Sequence, residues 1–282
     1  MHISHPTPPD FSFQETLAAH GWRRLLPFLW HEETKILERY EEVPDGSVAM
    51  LRLSSLDGTV SVEVDRDTEE ADLTRRVRRM LQLDIPLEEF HAYCGTHAEL
   101  ATIAHRRQGR MLRCPTLWED VVKVIATTNT TWAQTIAMTT RLVTCFGAEG
   151  RAFPRPEQVA TVPFEEFAAQ AKMGYRNASV YKLATAIVEG SLDLEAWQEE
   201  SLTASELRKR LLTLPGVGPY AAACLMLYLG KPEHVNADSW ARTLVAKEIG
   251  RSATDKDVHD FFAVHGPWRG LVYSFYPWRN ES

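Results

Sequence analysis

The residues Leu212-Thr213-Leu214-Pro215-Gly216-Val217-Gly218-Pro219-Tyr220 join two stretches of helical periodicity that begin near Ser205 and Ala221. They read as a helix, a four-residue hairpin and a second helix. Gly216 and Gly218 permit positive φ and close backbone approach. The amides of Gly216, Val217, Gly218 and Tyr220 then face outward at a helix N-terminus, where free N–H donors and the helix dipole suit a phosphate. A tight turn between packed helices would use the same residues. Eighteen residues beyond Tyr220 stands Asp238, in His234-Val235-Asn236-Ala237-Asp238-Ser239-Trp240. Gly230, Lys231 and Pro232 end the apolar helix and turn the chain back toward the hairpin. A carboxylate entering a new helix there is an N-cap in the plainer reading and a reacting group in the other.

Outward from this segment, 282 residues with 44% hydrophobic and 24% charged side chains are those of a globular protein with room for two domains. No run approaches the ~18–20 apolar residues of a membrane span. The N-terminus lacks the basic and apolar regions of a secretory signal. Cys94, Cys114, Cys145 and Cys224 lie far apart with no CxxC pair, which speaks against a disulfide framework and against closely spaced thiolate metal sites. A reducing cytoplasm is the expected compartment, beside the nucleoid if the source is prokaryotic. The net charge is −7, yet residues 1–95 hold 10 basic and 18 acidic side chains while residues 96–282 hold 21 and 20. A cationic face on the larger part is compatible with that division.

The first ten residues, with Pro6, Pro8 and Pro9, read as a mobile tail. Residues 48–64 alternate as a hairpin about Asp57-Gly58. Residues 71–83 form an amphipathic helix whose Arg75, Arg76, Arg78 and Arg79 read as a solvated face. Beyond Gly95 the periodicity is helical. Thr116-x-x-Glu119 and Thr203-x-x-Glu206 are capping-box signatures. A helix is expected from Trp132 to Phe146, stopped by Gly147, and Gly174 breaks the chain before another. The expected fold class is α+β: an N-terminal domain with an antiparallel sheet over residues 1–105, then an all-helical domain over residues 106–282.

The hairpin, the apolar helix and the spaced Asp238 resemble the helix–hairpin–helix DNA glycosylase superfamily. The segment from Arg110 to Val122, followed by Asn129 and Trp132, is similar to the first helix of the catalytic domain in its 8-oxoguanine and alkylpurine branches. Met173-Gly174-Tyr175-Arg176 looks like the GYRA turn of the 8-oxoguanine branch, and Pro27-Phe28-Leu29-Trp30 suits the N-terminal domain of both. The likeness extends from Phe11 to about Trp278.

The resemblance implies excision of a damaged base. Positive charge develops on the sugar as the base departs, and Asp238 would stabilise it and orient a water. The base must first be flipped from the duplex. Asn129 would fill the gap, with Tyr175 and Arg176 acting on its flank and on the orphaned base. Bifunctional members carry a lysine immediately after the hairpin that forms a Schiff base. Tyr220 stands there instead, and Lys231, eleven residues on at ~1.5 Å each, lies about 16 Å away. The expected enzyme is therefore monofunctional and leaves an abasic site to a separate endonuclease. Trp132, Tyr220, Trp240, Trp268 and Tyr273 offer rings suited to a cationic alkylated purine such as 3-methyladenine. The 8-oxoguanine branch reads its lesion through a glycine carbonyl shortly before the Phe-x-Trp motif, and residues 25–27 hold no glycine. That weakens an oxidised-guanine reading.

No catalytic cofactor is implied, and no four-cysteine loop for an iron–sulfur cluster follows the catalytic segment. The carbonyls of Leu212, Leu214 and Val217 would hold a structural K⁺ or Na⁺ bridging to a DNA phosphate. The expected partner is damaged double-stranded DNA, bound by a monomer. Two other classes remain: a DNA-binding protein without catalysis, and an unrelated helical enzyme using Glu119/Asp120 or Glu199/Glu200. Adjacent carboxylates point to different helix faces and make poor acid–base partners.

Overall fold

The computed structural model describes residues 1–276, so Trp278 lies outside the described residues. Five strands form one antiparallel sheet: β1 (His2–Pro6), β2 (Phe28–His31), β3 (Ile36–Glu42), β4 (Val48–Leu56) and β5 (Thr59–Val64), in the order β1-β5-β4-β3-β2. The expected hairpin is β4–β5. Asp57 and Gly58 both adopt positive φ, 48° and 73°, as a two-residue turn matched to strand twist requires. Ala49, Leu51, Leu53, Val60 and Val62 are wholly buried on one face of it.

The N-terminus corrects the sequence reading. Residues 2–6 are not a tail but the edge strand β1, paired with β5 from His2↔Glu63 to Pro6↔Thr59. Ile3 and His5 point inward, and the terminal ammonium donates to the Val64 carbonyl at 2.8 Å. Pro6 is tolerated because it closes the strand at the sheet edge. Three prolines concealed a short alternating strand that precedes two of them.

Among the described residues, every regular element after β5 is a helix. The arginine-rich helix spans Glu70–Met80. Its arginines are partly solvated and all ion-paired: Arg75 and Arg76 with Asp72, Arg78 with Asp84, and Arg79 with Glu195 and Glu199. The Thr203–Glu206 capping box forms in full at the Ala204–Leu211 helix. At the Leu117–Thr127 helix only half of the expected box forms. Thr116 accepts from the Glu119 amide, but the Glu119 carboxylate turns into the core.

There it meets the sheet. Arg39 of β3 is 1% exposed and donates through Nη1 and Nη2 to the two Glu119 oxygens, at 3.1 and 2.6 Å. Arg39 also pairs with Glu41, and Lys123 Nζ lies 2.7 Å from Glu119. The Phe28 ring lies against both cations, 4.3 Å from the Arg39 guanidinium and 4.9 Å from Lys123 Nζ. Burial alone would raise the Glu119 pKa, but the Arg39 and Lys123 charges overcome it and hold the carboxyl down at about 2. The next residue, Asp120, accepts from the Cys114 amide at 2.8 Å, Arg113 Nε at 3.2 Å and Trp22 Nε1 at 3.3 Å. Neither carboxylate is open to a substrate, so the competing reading of this pair as acid and base has no geometry.

Removing one partner of such a buried cluster costs about 3–5 kcal/mol. Glu119→Gln should lower the unfolding free energy by that order in a urea titration. The sign of the pH dependence follows from the lowered carboxyl: the stabilisation is complete above about pH 4.5 and fades toward about pH 2. Wild type should therefore lose more stability than the variant on acidification through that window.

Candidate active site

Asp238 caps the Ser239–Ile249 helix and also faces a cavity. Its Oδ1 accepts from the Ala241 amide at 2.8 Å and from the Tyr273 hydroxyl at 2.8 Å. Its Oδ2 accepts from Asn236 Nδ2 at 3.4 Å. The N-cap reading of this residue holds, and the same side chain lines the cavity. Tyr273 reaches it because the Arg269–Phe275 helix lies against the 232–234 loop. Gly270 N donates to the Pro232 carbonyl at 2.8 Å, and a Cβ on Gly270 would stand 2.5 Å from the His234 carbonyl.

The cavity holds about 290 Å³. Trp132, Tyr220, Tyr273 and Asp238 line it, as do Thr127, Thr130, Thr135, Cys224 and Asn236. Burial pushes the Tyr220 phenol above its ordinary range, with Cys224 and Asp238 adding to the shift. Of the five rings expected here, two lie elsewhere. Trp268 packs on Phe90 at 5.6 Å, and Trp240 sits on the Ser239–Ile249 helix outside the lining.

One wall was not legible in the sequence. Ala19, His20, Gly21 and Trp22, from the N-terminal part of the chain, close the cavity opposite Tyr220 and Tyr273. Asp120 holds the Trp22 indole, and Trp22 and His20 stack on Tyr228 at 5.6 and 5.1 Å. His20 Nδ1 accepts from the Trp22 amide, and burial holds the ring pKa down at about 3, so the imidazole is neutral. A Cβ on Gly21 would stand 2.3 Å from the Trp132 ring, so the indole rests on bare backbone. Cys224 had a signal that passed unread: it follows Tyr220 by four residues on one helix face.

The hairpin runs between the Ala204–Leu211 and Pro219–Tyr228 helices, with Gly216 at φ 81° and Gly218 as the second helix's N-cap. Leu214 and Val217 are buried anchors, while Gly216, Gly218 and Tyr220 are exposed. Val217 is corrected as a phosphate donor, because its amide already donates to the Leu214 carbonyl at 3.1 Å. Asn129 and Tyr175 both project from the surface, Asn129 with φ 44° and Tyr175 with 64% of its area exposed. The Arg176 side chain lies beneath them, 6% exposed. No helix among the described residues is long and apolar enough to cross a membrane.

The fold is shared with solved structures of DNA glycosylases. No family model matches the chain. A probable bifunctional transcriptional activator/DNA repair enzyme, AlkA of Mycobacterium tuberculosis, is 28% identical over 259 residues, covering 82% of this chain and 50% of that protein. The chain thus spans about half the length of the curated relatives it matches. The 3-methyladenine DNA glycosylase of Archaeoglobus fulgidus superposes with a TM-score of 0.75 at 16% identity, over 99% of this chain and 98% of that one. The Clostridium acetobutylicum 8-oxoguanine glycosylase/lyase, in complex with double-stranded DNA containing cytosine opposite 8-oxoguanine, gives 0.72 at 17%, over 100% and 98%.

The Gly21–Trp132 contact has a measurable consequence. Gly21→Ala should cost about 1–3 kcal/mol of stability, as overpacking does. In Trp132→Ala the same change should be nearly neutral. A double-mutant cycle measured by denaturant unfolding checks the coupling.

Proposed function

We propose that this chain is a monofunctional DNA glycosylase that excises an alkylated purine, such as 3-methyladenine or 7-methylguanine, from double-stranded DNA. The observation that carries the reading is the company Asp238 keeps. Its carboxylate opens on a cavity walled by Trp132, Tyr220 and Tyr273, in which no Lys or Arg side chain appears among the described residues and His20 is neutral. A cationic base stacks well on such rings and meets no repelling charge.

In this reading, the base swings out of the duplex into the cavity, at a cost of a few kcal/mol for unstacking. Asn129 enters the vacated space, flanked by Tyr175, while the exposed amides of Gly216, Gly218 and Tyr220 hold a backbone phosphate. Asp238 Oδ2 faces the sugar, where negative charge offsets the positive charge developing at C1′ and can orient an attacking water. The Ala241 amide and Tyr273 hydroxyl hold the other oxygen, so the carboxylate is oriented before substrate arrives. Tyr220 occupies the place of a Schiff-base amine, and a phenol cannot form one. The reaction then ends at an abasic site, which a separate endonuclease incises. The protein acts as a monomer. Three uncharged carbonyls, those of Leu212, Leu214 and Val217, suit K⁺ or Na⁺ as a purely structural bridge to phosphate. Leu214 O keeps a lone pair after accepting from Val217.

Asp238→Asn tests the central claim cleanly, because Asn caps helices about as well as Asp. Single-turnover release of 7-methylguanine should fall by about 100-fold or more, while folding and duplex binding persist. Retained release would move the chemistry to another group, and release of 8-oxoguanine in place of alkylpurines would change the substrate class.

Wild type should release base without nicking the strand until alkali is added, and borohydride should trap no protein–DNA adduct. An adduct mapping to a lysine of this chain would overturn the monofunctional assignment.

A further inference from the structure

Arg176 is the first residue of the Arg176–Val188 helix, and its guanidinium is turned away from solvent. Nη1 donates to the Met173 carbonyl at 3.3 Å. Nη2 donates to the Thr128 carbonyl and, at 3.3 Å, to the Asn129 carbonyl. Tyr175 lies across the guanidinium plane, 4.5 Å from it, and its hydroxyl is 3.5 Å from Thr128 Oγ1. The two loop carbonyls belong to the C-terminal end of the Leu117–Thr127 helix, where a positive charge is favourable. They also belong to the turn in which Asn129 takes up its left-handed conformation. Next to it, Gln134 is equally committed: its Oε1 accepts from Thr130 Oγ1 and from the Thr131 amide.

We propose that Arg176 is a positioning residue that clamps the Asn129 turn, leaving Asn129 and Tyr175 as the projecting pair, so that DNA is engaged without regard to the base opposite the lesion. The guanidinium fork that could distinguish one orphaned base from another is turned onto backbone. Asn129 and Tyr175 remain as a filler and a stacking surface, neither of which presents a guanidinium's fork of donors. This rests on the reading of the chain as a glycosylase, but its test does not require excision.

Anisotropy titrations would use four duplexes containing a tetrahydrofuran abasic analogue opposite C, T, A or G. The expected result is four dissociation constants within about threefold of one another, since a bidentate base contact would separate them by about fivefold to 150-fold. Arg176→Ala should weaken all four alike, by about tenfold, as the loss of a charged hydrogen-bond clamp does. Arg176→Lys should recover part of that, because an ammonium can still meet the two carbonyls. With 2-aminopurine as the orphaned base, the fluorescence change caused by insertion should be lost in Arg176→Ala while unfolding stays cooperative, which a general loss of structure would not give. A preference of wild type for one orphan base that disappears in Arg176→Ala overturns the proposal. If Arg176→Ala does not fold, the wild-type comparison alone decides. Uniform binding with no base release would leave this proposal standing and remove the glycosylase reading.

Discussion

The rest of the molecule hangs on two adjacent carboxylates in the Leu117–Thr127 helix, each buried and each holding a different part of the N-terminal chain. Glu119 receives Arg39 from the sheet, and Asp120 receives Trp22 from the turn ahead of β2. Burying charge is costly unless it is paired and fully hydrogen-bonded. The sheet and the helix therefore have one arrangement in which these groups are satisfied. That arrangement brings the 19–22 turn against the cavity and, at the far end of the same helix, leaves the Thr128–Asn129 turn at the surface.

How much of this was legible varied with how local the constraint was. The β4–β5 hairpin, the Thr203 box and the Trp132–Phe146 helix are fixed by residues within a few positions of one another. The hairpin and the Asp238 cap were legible because glycines that break a helical pattern and an acid that opens a new helix are local signals. The cavity wall was not. Nothing about Gly21 marks it until Trp132, more than a hundred residues away, is seen to lie on it. The Glu119 half of the capping box was misread for the same reason, since its competing partner Arg39 is eighty residues distant. The edge strand β1 failed differently: prolines spoke for a tail, while a partner strand 60 residues on decided the matter. Ring count in sequence overestimated the pocket, because Trp240 and Trp268 lie near the motif in the chain yet are not among the residues that line the cavity.

Asp238 shows how one side chain serves structure and site together. As an N-cap it is held by the Ala241 amide, so its rotamer is set by the start of a helix. Tyr273 adds a second donor to the same oxygen, and Asn236 reaches the other. The carboxylate is thus asymmetric by construction. On the cavity side it is surrounded by aromatic rings together with threonine hydroxyls and the Asn236 amide.

The division of the cavity between two stretches of chain has a consequence for how such a protein can diverge. The carboxylate and its donors lie between residues 236 and 273, whereas residues 19–22, which also line the cavity, donate no hydrogen bond to the carboxylate. Substitutions at Ala19, His20 or Gly21 can reshape what the cavity admits while leaving the orientation of Asp238 untouched. The shape of the cavity and the orientation of its carboxylate are in that sense separately inherited, and the turn is where the first can change without disturbing the second.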